Sequence, residues 1–241
     1  MCYTTTLDKK YDEVEARIRR KFANPEVYEP YYYQSAFTHH NLYIVPQQEN
    51  DKIVPAIWGL VPSWAMSRDI NSFLKKNYTN NARSESIFEK RSFKEFPLTN
   101  RCLIAASGFF EPHHHKGVAY PYFCHYKNDG IFFFAGLYSE MDNGLYSTTI
   151  LTVEANDFFA EVHNKKRRMP LVLDKDFEEE WLQPDLQEPH VKELMKSGFT
   201  NKEFEAYSVT RDMYKKGIDH NTPRAIERVN YPEINEQGTL F

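Results

Sequence analysis

Cysteine is scarce in this chain. Its 241 residues hold three, Cys2, Cys102 and Cys124, with no CxxC spacing, which fits neither a disulfide framework nor a zinc knuckle. Gly and Pro are modest, at 9 and 13 residues, so neither a fibrous nor a linker-like composition is present. No apolar run approaches the roughly 18 residues of a membrane span, and the first residues lack the charged-then-apolar layout of a signal peptide. Neither sign of charge dominates: 30 Lys and Arg face 34 Asp and Glu, a net charge of −4. A mildly acidic protein does not coat nucleic acid through diffuse charge, so any nucleic-acid site must be a compact basic groove. What remains is a globular protein, expected to be cytoplasmic and monomeric. Its 18 Phe, 16 Tyr and 3 Trp supply a substantial core.

From Asp8 to Phe22 apolar residues recur at Tyr11, Val14, Ile18 and Phe22, the spacing of an amphipathic helix. Between Leu42 and Trp64 the pattern changes to short β-rich runs broken by proline: Leu42–Val45, Ile53–Val54 and Ile57–Trp58. Further strands are predicted at Cys102–Ala106, Tyr120–Tyr126, Ile131–Tyr138, Ser147–Val153, Leu171–Leu173 and Glu203–Val209. Helical stretches are predicted at Ser84–Lys90, Asn156–Val162, Asp174–Leu182 and Val191–Lys196. The order is mixed rather than a regular β–α alternation. It predicts a single α+β domain over residues 1–234, with a curved, mostly antiparallel, barrel-like sheet core and flanking helices. A polar tail, 235–241, follows.

Four places carry possible chemistry, each with a plain structural alternative. Cys102 and Cys124 lie in apolar surroundings and read as small core residues, whereas Cys2 directly follows Met1. Trimming of Met1 leaves an α-amine and a thiol on one residue. The amine, with a pKa near 7.7–8.0, is about a tenth to a fifth neutral at pH 7 and can attack an aldehyde. The thiol can then close a thiazolidine; the alternative is a chance second residue in a buried first strand. Asn81-Ala82-Arg83-Ser84-Glu85, after Asn77 and Asn80, is either an asparagine-rich turn entering a helix or a site in which Asn81 orients a reacting group and Arg83 clamps a phosphate. Glu111, at the end of the apolar run Ser107–Phe110, either faces solvent or has its pKa raised among aromatic rings. The adjacent His113-His114-His115 alternates between faces of an extended segment, which makes one shared metal ion unfavourable; no metal or cofactor is expected. His163 precedes Lys165-Lys166-Arg167-Arg168 and the apolar run Leu171–Leu173. That is a solvated loop or the compact basic patch that the net charge requires.

The ordered set of segments resembles the SOS response-associated peptidase family, whose members recognise abasic sites in single-stranded DNA and cross-link to them through an N-terminal cysteine. The motifs are Cys2, Trp58-Gly59-Leu60-Val61-Pro62-Ser63-Trp64, Asn81-Ala82-Arg83-x-Glu85, Gly108-Phe109-Phe110-Glu111, Leu151-Thr152 with Ala155-Asn156, and His163 with Arg168-Met169-Pro170. The resemblance implies that Cys2 is the nucleophile, Asn81 positions the substrate, Glu111 is an acid/base and His163 moves protons on the ring-opened sugar. It implies DNA contacts at Trp58, Trp64, Arg83, Thr152 and Arg167 or Arg168, and allows an autoproteolytic activity that removes Met1. Three features depart from the family: Tyr3-Thr4 where many relatives have Gly-Arg, Pro112 where many have tryptophan, and a longer spacing from His163 to Arg168.

Three other readings stay open: a peptidase acting on other peptides, an N-terminal cysteine hydrolase acting on amides without DNA, and a noncatalytic single-strand binder. The end of the chain, Gln237-Gly238-Thr239-Leu240-Phe241, resembles short peptides that dock on the bacterial sliding clamp, or is an ordinary C-terminus.

Overall fold

The short apolar runs in the middle of the chain become strands of two sheets. The computed structural model describes residues 2–197 and 203–235. In chain order the first elements are β1 (Thr4–Leu7), α1 (Tyr11–Ile18), β2 (Lys21–Phe22), β3 (Tyr31–Ser35), β4 (Asn41–Pro46), β5 (Lys52–Trp58), α2 (Ile70–Lys76) and β6 (Asn81–Arg83). The central strands are β7 (Arg101–Ala106), β8 (Gly108–His115), β9 (Val118–Tyr126), β10 (Phe132–Glu140) and β11 (Tyr146–Glu154). Then come α3 (Asp157–Val162), β12 (Arg168–Pro170), β13 (Val172–Leu173), α4 (Lys175–Trp181), α5 (Glu188–Ser197), β14 (Phe204–Ser208) and α6 (Pro232–Asn235).

One antiparallel sheet has the order β14-β9-β8-β1-β3. The second, nine-stranded and mostly antiparallel, follows β12-β11-β10-β7-β4-β5-β2, with β13 on β10 and β6 on β11. It curls on itself, because β5 also pairs with β11 in parallel, Ala56–Trp58 lying along Tyr146–Thr148. The α+β single domain with a curved sheet core is the architecture the sequence predicts.

Several predicted boundaries move for identifiable reasons. The first helix is shorter than Asp8–Phe22: it stops at Ile18 because Arg19 turns left-handed at φ 58°, and Lys21–Phe22 pairs with β5 instead. Pro55 does not break β5. On one side β2 pairs with Lys52 and Ile53 and β11 with Ala56–Trp58, so the proline falls between them, where no ladder needs its missing N–H. Ser84–Lys90 is one 3₁₀ turn, Ser84–Ser86, followed by turns rather than a helix.

β7 passes into β8 through Ser107, so one continuous run of chain serves both sheets. Gly108 permits this: a Cβ there would lie 2.3 Å from the Phe123 ring. Alternation along β8 then puts Phe109, Glu111 and His113 on one face, exposed by only 0 %, 1 % and 7 %. Phe109 packs edge-on against Phe134 and beside Phe159 of α3. The aromatic core thereby fixes both β8 and the helix that leads to His163. Cys102 and Cys124 are buried and free.

Candidate active site

β1 lies between β3 and β8, with Thr5 opposite Phe109 in an antiparallel register. The residues before Thr5 therefore run beside those after Phe109, which brings the chain start to Glu111. Cys2 is fully buried, and its thiol donates to Thr4 O at 3.5 Å. Asn81 is not part of a turn: it begins β6 and pairs with Ile150 of β11. Its side-chain amide donates to Cys2 O at 2.8 Å, while its Oδ1 is buried with no hydrogen-bond partner among the described residues.

Glu111 sits inside its strand rather than at an end facing solvent. His163 follows α3, whose N-terminus is capped by Asn156 Oδ1 accepting from Phe159 N at 2.9 Å. The imidazole Nδ1 lies 3.1 Å from Glu111 Oε2 and 3.0 Å from Arg168 O. A carbonyl oxygen only accepts, so Nδ1 carries the proton and the Nε2 lone pair is the basic site. Burial pushes the Glu111 carboxyl up to about 7, against the pull of nearby Lys166. Burial likewise pulls His163 down to about 4, and burial followed by the charge of Glu111 raises the Cys2 thiol. Near neutrality the site thus holds a carboxyl able to take or give a proton, a neutral imidazole and a protonated thiol.

The four residues Cys2, Asn81, Glu111 and His163, distant in sequence, are brought together. Beside them opens a cavity of ≈ 490 Å³ bounded by Tyr3, Phe110, Glu111, His163, Lys165 and Lys166, among others. Tyr3 and Phe37 both line it, Tyr3 stacking on the exposed ring of Phe37 at 5.2 Å, a pair that sequence patterns did not single out because the two residues are far apart in the chain and neither lies in a periodic run.

The expected DNA contacts divide. Arg83 is exposed at the end of β6. Trp64 is partly exposed, with Arg91 4.3 Å and Arg68 5.3 Å over its ring. Trp58 and Thr152 require correction, since both are fully buried and present no surface to a strand. The Trp58 indole donates to Asn80 O at 2.9 Å, and Asn80 in turn donates to Ala36 O at 2.6 Å, tying the Phe37 loop to the segment after β5. Thr152 holds Arg168, whose guanidinium donates to Thr152 O at 2.6 Å and forms a two-pronged pair with Glu85. Arg167 is exposed, left-handed at φ 48°, and faces a second cavity beside His113, His114 and His115. Those histidines alternate as expected, His113 inward with Nδ1 3.0 Å from Glu161 O. Among the described residues no three His, Cys, Asp or Glu side chains group as metal ligands, and no helix is long and apolar enough to cross a membrane. The segment Gln237–Phe241 and all of the tail after Asn235 lie outside the described residues.

The family described as SOS response associated peptidase (SRAP) matches residues 1–216. The chain is 30 % identical over 233 residues to the abasic site processing protein YoqW of Bacillus subtilis, covering 94 % of this chain and 99 % of that protein. It is 31 % identical over 217 residues to YoaM of the same organism, also named an abasic site processing protein, covering 87 % and 91 %. A crystal structure of a protein from Bacteroides thetaiotaomicron superposes with a TM-score of 0.84 at 30 % identity, covering 95 % of this chain and 100 % of that one.

Proposed function

The chain belongs to the SOS response associated peptidase family, and from that membership we propose that it processes abasic sites in single-stranded DNA, capturing the lesion covalently through Cys2. The observation that carries the reading is the Asn81 amide on the Cys2 carbonyl, which anchors the chain start beside the Glu111–His163 pair. Relatives named as abasic site processing proteins support the substrate.

In this reading Met1 is first removed, which frees the Cys2 amine. Glu111 as carboxylate takes a proton from that amine, which attacks C1′ of the ring-opened sugar. The same carboxyl returns the proton to the departing hydroxyl, so that an imine and water form. The Cys2 thiol adds across the imine, sulfur to carbon and proton to nitrogen, and closes the thiazolidine. His163 Nε2 serves the sugar O4′, and Asn81 keeps the backbone of Cys2 in place. Arg83 contacts phosphate, and Trp64, flanked by two arginines, stacks on an unpaired base. Because the buried thiol is protonated, the amine reacts first.

Removal of Met1 is assigned to the same apparatus, with Glu111 assisting hydrolysis of the Met1–Cys2 bond in cis. Intact mass separates the routes: a Glu111→Gln protein that keeps Met1 shows self-processing, and one that loses it shows removal by an aminopeptidase. Docking of Gln237–Phe241 on a sliding clamp is a separate proposal, overturned if the full chain shows no clamp binding.

The decisive experiment is incubation with an abasic single strand, then a denaturing gel and intact mass of the product. An adduct whose mass is the sum of processed protein and oligonucleotide less one water is expected. No adduct, or one that survives Cys2→Ala, overturns the reading; turnover of glutamine instead would point to an amide hydrolase.

A further inference from the structure

Four consecutive basic residues, Lys165 to Arg168, run from a turn into β12 and face different surroundings, and this decides which of them is open to a ligand. Arg168 is neutralised by Glu85 and donates to Thr152. Arg167 faces the second cavity, which also holds Asp157. Lys165 and Lys166 are exposed and line the cavity of Glu111 and His163. Neither lysine has an ion pair among the described residues.

The turn that carries them is built rather than loose. His163 N donates to Phe159 O at 2.8 Å, Arg167 N to His163 O at 2.9 Å, and Ala155 N to Arg167 O at 3.0 Å. Asn164 clasps the edge of β8 twice: its Oδ1 accepts from His114 N at 2.9 Å and its Nδ2 donates to His114 O at 2.8 Å. The left-handed residue Arg167 then returns the chain into β12. Two lysines are thus presented from a pinned loop to the cavity that Glu111 and His163 also line.

We propose that Lys165 and Lys166 form the phosphodiester site of this cavity, gripping the backbone next to the lesion sugar, while Arg168 serves as an internal brace. This rests on the abasic-site reading above. A lysine is a compact, mobile cation with three donors, suited to following a phosphate whose neighbouring sugar opens and rearranges. The field of Lys166 at Glu111 and His163, which lowers the pKa of both, places its charge within reach of the same substrate atoms.

The test measures reversible binding in a Cys2→Ala background, with a single strand carrying a stable tetrahydrofuran abasic analogue, at salt from low to high. Each phosphate contact on a single strand contributes about 0.7 to the slope of log K against log salt. Lys165→Gln with Lys166→Gln is expected to reduce that slope by about 1.4 and to weaken binding most at low salt. Lys→Arg at both positions should restore it, and Arg168→Gln should leave the slope nearly unchanged. Both lysines are exposed, so their replacement does not endanger folding. An unchanged slope in the double variant, or a slope loss that follows Arg168, overturns the proposal while adduct formation by the wild type keeps the functional reading intact. Wild-type protein that neither binds the strand nor forms an adduct overturns both.

Discussion

Glu111 and His163 meet at 3.1 Å in a site that leaves them 1 % and 3 % exposed. Burial moves them in opposite directions, the carboxyl up to about 7 and the imidazole down to about 4. Below about pH 7 the pair is therefore neutral where a surface Glu–His pair would be an ion pair, and above it a carboxylate stands beside a neutral imidazole.

This has a signature in stability. Glu111 is raised from 4.5, so its folded form holds a proton the unfolded chain has lost, and its contribution to stability falls as pH rises from 4.5 to about 7. His163 is lowered from 6.5, so its contribution is lost as pH falls from 6.5 to about 4. The two oppose each other in the wild type. Relative to wild type, Glu111→Gln should gain stability on going from pH 4.5 to 7, by up to about 3 kcal/mol. His163→Gln should gain on going from pH 6.5 down to 4. Urea midpoints across pH 4–8 measure both, and variants that track the wild-type curve throughout would contradict the buried neutral pair.

Adduct formation should depend on Glu111 more steeply than strand binding does. Replacing the carboxyl by the isosteric amide in Glu111→Gln removes proton transfer but preserves shape. The rate of adduct formation is expected to fall by about 10²–10⁴-fold, with reversible affinity for the analogue strand within a few-fold of wild type. The rate of wild type should also rise with pH through the region near 7 as Glu111 ionises, whereas the variant keeps only the later rise of the Cys2 amine near 7.7–8.0. Equal losses in rate and affinity would make Glu111 a binding group instead. To keep Met1 processing out of the comparison, both proteins are prepared with Cys2 already at the N-terminus.

Asn81 gives a different split. Its amide donates to Cys2 O at 2.8 Å, so Asn81→Ala leaves that carbonyl without this donor and lets the chain start drift. Displacement of about 1 Å at a reacting group costs as much as 10²-fold; a fall of at least about 10-fold in the adduct rate is expected. Thermal stability should drop only by what one hydrogen bond supplies, about 1 kcal/mol. Single-turnover trapping and thermal melts read the two effects; an unaltered rate would remove Asn81 from the positioning role.

Most strands were legible as short continuous apolar or β-branched runs, as in Arg101–Ala106 and Tyr146–Glu154, whose residues are buried on both faces. β6 was not: three residues of Asn-Ala-Arg carry no such pattern, and they form a strand because β11 offers them a free edge. The depth of Glu111 follows from parity, since two residues after the core residue Phe109 the chain faces inward again. The grouping of Cys2 with Asn81 depends on β1 inserting between β3 and β8 and on β6 reaching β11, long-range pairings that no local spacing reports. The commitment of Arg168 to Glu85 was equally hidden: a run of basic residues shows charge, not which cations are already paired.

The two tryptophans of the Trp58–Trp64 segment look equivalent in sequence, and the structure separates them. Trp58 is fully buried and hydrogen-bonded to Asn80, so its truncation opens a large cavity. Trp58→Ala should cost about 3–5 kcal/mol of stability, while any folded fraction keeps its affinity per active molecule. Trp64 packs edge-on against Phe73 at 5.6 Å and holds Arg68 and Arg91 over its ring. Loss of a base-stacking ring costs about 1–3 kcal/mol per base, so Trp64→Ala should weaken strand binding about 5- to 150-fold, with a melting temperature close to wild type. Fluorescence anisotropy with a labelled single strand, set against calorimetric melts of the same preparations, measures both quantities for each variant. If Trp58→Ala weakens binding without destabilising the fold, or Trp64→Ala destabilises without weakening binding, the division of labour drawn from their burial is reversed. The two arginines sharpen the test, because Arg91→Gln removes a cation from the Trp64 face but leaves the ring. A stacking role for the ring predicts that this variant retains most of the affinity Trp64→Ala loses.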